Sequence, residues 1–432
     1  MSTVLYWFRN DLRTIDNNLL KRAIEGHETV VGCYVIESRW LESSEQGIVG
    51  IGQSRWLFLR HSLLQLEKQL AAKSIVLRLM VGEPAKVIGE LTDELSIDTL
   101  YVSNHVGSYE IEQINKVKSN HARLAVQSDW NTTLITGTDA IEKGWLSGSF
   151  SKFRNKVEKS PIIDDFMDGV IEVEQTYAAN QLDNTGSNNE SIFNHVDAIV
   201  KDFNRTDSRT DFVGGEIAGL EHLKNYLATD APSSYKQTRN NLDGKYSSTG
   251  LSPWLALGCL SPRRVWFEVK QYEAKYGAND STYWIGFELL WREFFQWLAL
   301  QSGSQLFHFS GLFNGQPKTT FNKKYFDSWC EGATDYPIVN ALMRQLNSTG
   351  FMSNRGRQIV ASCLVNELNQ DWRYGAKYFE RQLIDYDVAS NWGNWQYIAG
   401  VGADPRGGRW FNLQKQTEQY DPDRRFIKQW IS

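Results

Sequence analysis

Five short apolar runs punctuate the first third of the chain: Val4–Phe8, Thr29–Ile36, Ile75–Met80, Thr99–Ser103 and Leu124–Gln127. Their length and their bias toward branched and aromatic side chains predict buried strands. Between the second and third runs, Trp56, Leu59, Leu63, Leu66 and Leu70 recur at helical spacing and give one apolar face. Strand, helix, strand in this rhythm predicts a parallel α/β domain over residues 1–135. No GxGxxG follows the first run, so the usual dinucleotide fingerprint is missing. From 136 to 214 the pattern loosens, and residues 174–191 are polar, Asn-rich and almost without apolar anchors, as in an exposed connecting segment. From Gly215 to the end the apolar spacing is helical and no strand alternation is convincing, which predicts an all-α second domain over 215–432.

Composition changes this picture at one point. Of the 16 tryptophans, 11 lie after residue 250. An aromatic helical core accounts for them as well as a stacking site for planar ligands does. The formal charge of −5 means that nucleic-acid binding needs a local basic groove, not the overall field. Cys33, Cys259, Cys330 and Cys363 are scattered without CxxC spacing and read as reduced structural thiols of a cytoplasmic protein. The first residues, MSTVLYWFRNDLR, place their charges after a short apolar run, the wrong order for a signal peptide. No apolar stretch has the length of a membrane span. The seven histidines show no metal-ligand spacing, so no metal site is expected.

Four segments carry candidate chemistry. Residues 385–395, DYDVASNWGNW, set Asp385, Asp387, Asn391, Asn394, Trp392 and Trp395 within one short run. Carboxylates and amides bond the edge of a heteroaromatic ring while indoles pack beside it, and each buried polar group needs a partner. A polar helix end with two core tryptophans fits the same run. Ser247, Ser248 and Thr249 precede a glycine, after which Leu251-Ser252-Pro253 opens a helix; such hydroxyls and free N–H groups suit a phosphate, or cap the helix alone. Glu288, Trp291 and Arg292 share one helical face and suit a flipped base, although a surface Glu288–Arg292 pair beside a core tryptophan is the plainer reading. Asn354-Arg355-Gly356-Arg357-Gln358 supplies two cations, which by themselves are an ordinary solvated surface.

Together with WFRNDLR, ELLWREFF, DWRYGAKYFERQLIDYD and AGVGADPR, these segments resemble the photolyase/cryptochrome family nearly end to end. SNRGRQ, WGNWQY and AGVGADPR resemble its cryptochrome-DASH branch. The resemblance implies a doubly wound parallel sheet domain, a connector, and a helical domain that holds FAD in a bent shape. Tyr235, Ser248, Thr249, Leu251 and Ser252 fall at the phosphate-contacting positions, and Arg357, Asp385, Asp387 and Asn391 at the flavin-ring positions. Asn391 stands where photolyases place an amide against the central-ring nitrogen. Arg239, Glu288, Trp291, Asn354 and Arg355 map to the lesion-contacting positions. The implied activity is light-driven splitting of cyclobutane pyrimidine dimers, with the hard chemistry carried by the cofactor.

Three departures shape the expectation. Gln358 and Tyr397 stand where dimer photolyases usually place Met and Trp, a change shared by the DASH branch that points to single-stranded DNA as substrate. Trp395 and Trp372 match the proximal and middle tryptophans of the photoreduction chain, whereas Thr319 occupies the distal position, with Phe321 and Trp329 nearby in sequence. Gly250 replaces the basic residue usual in STKLS. A methenyltetrahydrofolate antenna is expected between the domains, with Glu110 as its carboxylate. The chain stops soon after Trp430 without a signalling-type tail, and no His stands in GFMSNRGRQ, so dimer repair by a monomer is expected over (6-4) repair. A blue-light receptor with little repair, and a tryptophan-rich single-strand or sugar binder without flavin, are the competing readings.

Overall fold

The computed structural model describes residues 3–42, 50–162, 189–203, 208–313, 315–403 and 407–431. The five apolar runs are the five strands of one parallel sheet: β1 (Thr3–Phe8), β2 (Thr29–Glu37), β3 (Val76–Gly82), β4 (Thr99–Ser103) and β5 (Ala125–Asp129), in the order β3-β2-β1-β4-β5. Central β1 sets Tyr6 beside Gly32 of β2 and Tyr101 of β4. On one face Leu5, Trp7, Val31, Val35 and Val102 bury against Ile88, Leu91, Ile114 and Val117 of helices Pro84–Glu94 and Ser108–Asn120. On the other, Val4, Tyr6 and Phe8 meet helices Asn18–Gly26 and Gln53–Ala71. The helical face read from sequence is borne out: Trp56, Leu59, Leu63, Leu66 and Leu70 are all buried. This is the doubly wound arrangement, with its strand-order switch between β1 and β4.

Of the polar segment 174–191, residues through 188 lie outside the described residues. The next residue begins helix Asn189–Phe203, where the patterning suggested only a connector. Its docking rests on one side chain: Asn189 accepts from the Leu79 N–H and donates to the Leu77 carbonyl, both at 2.9 Å. An amide placed this way satisfies backbone groups that edge strand β3 leaves unpaired.

From Gly215 onward the described residues are helical, as expected from their periodicity. None of the described helices is long and apolar enough to cross a membrane. Buried polar contacts join the helical part to the sheet. Glu216 accepts from the N–H groups of Thr14 and Ile15 at 2.9 and 2.8 Å. Glu293, fully buried in helix Asp280–Ser302, accepts from the N–H groups of Leu134 and Ile135 and from the Trp297 indole. Leu12 donates to the Leu257 carbonyl, and the next turn needs Gly258, because a Cβ there would lie 1.8 Å from the Asn10 carbonyl oxygen.

Glu293→Ala would strand three buried donors at this joint. We expect destabilisation of about 3 kcal/mol, seen as a lowered thermal midpoint; an unchanged midpoint would remove Glu293 from the joint.

Candidate active site

A cavity of about 610 Å³ opens in the helical domain. Helix Asp280–Ser302 gives one wall through Glu288, Trp291, Arg292 and Phe295. The Ser248–Ser252 loop and helices Asn354–Ser362 and Val388–Ala399 supply the rest of the lining named by the sequence. These helices start where the sequence dictates: Ser353 accepts from the Gly356 N–H, and Asp387 Oδ1 accepts from the Ser390 N–H at 2.7 Å. Helix Trp372–Gln382 approaches from behind at Gly375, where a Cβ would sit 2.2 Å from the Trp395 ring.

The cavity gathers most of the residues singled out by sequence. Tyr235, Arg239, Ser248, Thr249, Leu251, Ser252, Glu288, Trp291, Asn354, Arg355, Arg357, Gln358, Asp385, Asp387, Asn391, Trp395 and Tyr397 all line it. Arg357 donates to Asp385 Oδ2 at 2.7 Å, so this arginine is not merely solvated surface. Asp385 Oδ1 is buried and has no hydrogen-bond partner among the described residues. Asn391 donates to the Ala376 carbonyl at 3.0 Å, and its Oδ1 is buried and likewise unpartnered. Two orphan acceptors on one cavity wall suit the N–H edge of a planar heterocycle, since leaving them unmet costs roughly 1–3 kcal/mol each. Ser248 and Thr249 line the same cavity and carry hydroxyls of the kind that suit phosphate oxygens. These residues fit FAD.

At the mouth, the plainer reading of Glu288 gives way. Its partner is Arg239, not Arg292. Arg292 donates instead to the carbonyls of Thr132 and Leu255. Burial pushes the Glu288 carboxyl above the usual range, and the Arg239 guanidinium pulls against that shift. The Trp291 ring stacks on Phe150 at 3.8 Å, which fixes its plane. The Tyr397 hydroxyl accepts from Arg409 at 2.7 Å.

Two predicted site residues lie elsewhere. Trp372 is fully buried outside the cavity wall, edge-on to Trp392 at 5.8 Å, with its indole N–H on the Phe309 carbonyl. Trp395, by contrast, meets Phe379 at 5.1 Å and Trp329 at 6.2 Å. The Thr319 hydroxyl is buried without a partner, and Phe321 stacks on Tyr374 at 3.9 Å. Glu110 lines a separate cleft of about 70 Å³ at the β1/β4 switch point, backed by Tyr386 and Asp387, which also line the cavity. Burial raises the Glu110 carboxyl, but His105 and Arg39 outweigh it and hold it below its ordinary value. The Arg39 guanidinium lies 3.8 Å over the Tyr109 ring and pairs with Glu37. Among the described residues this cleft falls well short of the roughly 300 Å³ of small-ligand pockets, and so arranged it does not fit a pterin.

Sequence reasoning missed Gln296 and Arg409. Gln296 donates to Asp387 Oδ2 at 2.7 Å and so holds the carboxylate that caps helix Val388–Ala399. The signal was present: Glu288, Arg292 and Gln296 repeat every four residues along one helical face. Arg409 sits in a loop with no periodicity to betray it.

Comparison with known proteins agrees with this geometry. Residues 284–432 match the family described as the FAD binding domain of DNA photolyase, and residues 4–168 the one described as DNA photolyase. The chain is 46% identical to a cryptochrome DASH of Idiomarina loihiensis, over 99% of this chain and 92% of that protein. It is 44% identical to a cryptochrome DASH of Vibrio parahaemolyticus with the same coverage. Among solved structures, a Synechocystis cryptochrome superposes with a TM-score of 0.86 at 37% identity, over 100% of this chain and 88% of the other. A class III photolyase of Agrobacterium tumefaciens gives 0.77 at 26%, over 100% and 86%.

Asp385→Asn would leave Arg357 without its counter-charge and weaken the acceptor toward a ring N–H. We expect the dissociation constant for FAD to rise about tenfold to a hundredfold, measured by fluorescence of released flavin. Undiminished retention would take Asp385 out of the ring contact.

Proposed function

Because the chain belongs to the photolyase/cryptochrome family, in its cryptochrome-DASH branch, we propose that it repairs cyclobutane pyrimidine dimers with blue light, acting on single-stranded DNA. The observation that carries this reading is one continuous cavity. It joins the orphan acceptors of Asp385 and Asn391 to a mouth made of Glu288, Arg239, Trp291 and Tyr397. The chemistry FAD supplies when bound is a light-driven one-electron donation that opens the cyclobutane ring and is then reversed.

The chain's own residues bind, orient and exclude water. Asp385 and Asn391 would accept from the ring edge, with Arg357, Asp387 and Gln296 holding that wall in place. An uncharged amide at Asn391 favours an N–H over a bare nitrogen opposite its oxygen, and so the reduced ring. Tyr235, Ser248, Thr249, Leu251 and Ser252 would frame the phosphates. Glu288 would hydrogen-bond the pyrimidine edge, with Arg239 keeping its charge in check. Trp291, packed by Phe150, Phe295 and Tyr397, would give the lesion an aromatic surface. Asn354, Arg355 and Gln358 line the same mouth. Trp395, beside the ring site, is the proposed electron donor for photoreduction, and Trp372 is its sequence-assigned relay. The folate antenna would require Arg39 to leave Tyr109.

The test illuminates reduced protein with dimer-containing oligo(dT) and with the matching duplex, and follows dimer loss by chromatography. We expect faster loss on the single strand. Loss on neither would end the repair reading and leave light sensing. Glu288→Ala should lower the repair rate about tenfold or more with flavin retained; full activity would remove Glu288 from lesion contact.

A further inference from the structure

Helix Glu216–Leu227 carries one side chain that grips the cavity's loop from outside the cavity lining: His222 Nε2 lies 2.8 Å from the Thr249 carbonyl oxygen. The imidazole sits among Trp254, Tyr246 and Phe212, with ring centroids 4.7, 6.1 and 6.5 Å away, which sets its plane. Burial lowers its pKa, the Thr249 carbonyl pulls it back up, and Lys245 pushes it down. The net shift is downward, so the ring is neutral near pH 7. A carbonyl has no proton to give, so Nε2 carries the hydrogen. The chain leaves room for this ring at Gly250, where φ is +63° and a Cβ would lie 3.1 Å from Nε2.

The Thr249 carbonyl matters because of the group across its peptide plane. In a trans peptide the C=O and the following N–H point in opposite directions, so bonding this oxygen to His222 turns the Gly250 N–H away from His222. Ser248, Thr249, Gly250 and Leu251 all line the cavity, and their backbone N–H groups have no acceptor among the described residues. Unmet backbone donors in succession are what a phosphate takes. Gly250 brings no cation of its own, so the aim of these donors counts for more. We propose that His222 is a positioning residue for the FAD diphosphate: through the Thr249 carbonyl it fixes the peptide plane that presents the Gly250 N–H to a phosphate oxygen. This rests on the placement of the FAD phosphates at this loop and adds to it a group outside the cavity lining. A histidine that only filled the aromatic box could be replaced by phenylalanine without loss; one that aims a backbone donor could not.

The test compares FAD-loaded protein with its His222→Phe and His222→Gln variants. It follows flavin release on dilution by fluorescence, and the bound diphosphate by phosphorus NMR. Phenylalanine keeps the ring and loses the N–H; glutamine loses the ring and keeps an N–H within reach of the same carbonyl. For His222→Phe we expect release about tenfold faster, with displaced phosphorus signals. His222→Gln should stay close to the parent in both. Release from His222→Phe at the parent rate overturns the positioning role. So does faster release from His222→Gln with the phosphorus signals unmoved, which would mark packing alone, and this second variant decides even if His222→Phe does not fold. A parent that holds no FAD overturns the cofactor reading itself.

Discussion

The site depends on the way one buried carboxylate locks helix Asp280–Ser302. Glu293 faces away from the cavity and takes three donors, two of them backbone N–H groups of residues 134 and 135. Arg292 adds a bond to the Thr132 carbonyl at 2.7 Å. With both residues fixed against 132–135, the helix can neither rotate nor slide, because either motion strands buried polar groups. Glu288, Trp291, Phe295 and Gln296 are then carried to set positions on the other side. The same joint therefore decides where the sheet domain sits and where the cavity's working face points.

The opposite wall is held by pairing rather than by bulk. Asp387 is consumed twice, by the Ser390 N–H and by Gln296. Asp385 shares one oxygen with Arg357, and Asn391 donates one amide N–H to the Ala376 carbonyl. Each side chain has its orientation settled within the protein, which leaves one buried acceptor oxygen on Asp385 and one on Asn391 without a partner among the described residues. A site prepared in this way loses less freedom on binding than one whose groups are loose. Trp395 and Phe379 meet edge-on at 5.1 Å where both line the cavity.

Much of this was legible in sequence because it obeys periodicity. The five strands and the apolar face from Trp56 to Leu70 repeat at the spacings their geometry demands, and the polar run 385–395 stood out because so many side-chain donors and acceptors cannot all be buried without purpose. Pairing across the chain was not legible. Glu288 and Arg292 share a helical face, yet Arg239, from a distant helix, takes the carboxylate, since burial makes the better-placed cation win. Asn189 reads as one more Asn in a polar stretch until β3 lies beside it. Trp372 and Trp395 look alike in sequence, but Trp395 lines the cavity while Trp372 is buried outside its wall.

The mouth also bears on the choice between one strand and two. Extruding a dimer from a duplex costs a few kcal/mol of lost stacking and pairing, which contacts at the mouth must offset. Here much of the mouth is already committed: Arg239 to Glu288, and Tyr397 through its hydroxyl to Arg409. Gln358 adds a polar amide where a larger apolar side chain would fill more of the gap left by an extruded base. The Trp291 ring is itself packed, stacked on Phe150 at 3.8 Å and met by Phe295 at 5.5 Å and by Tyr397 edge-on at 6.1 Å. The single-strand preference proposed for this protein would rest on these commitments of its mouth residues.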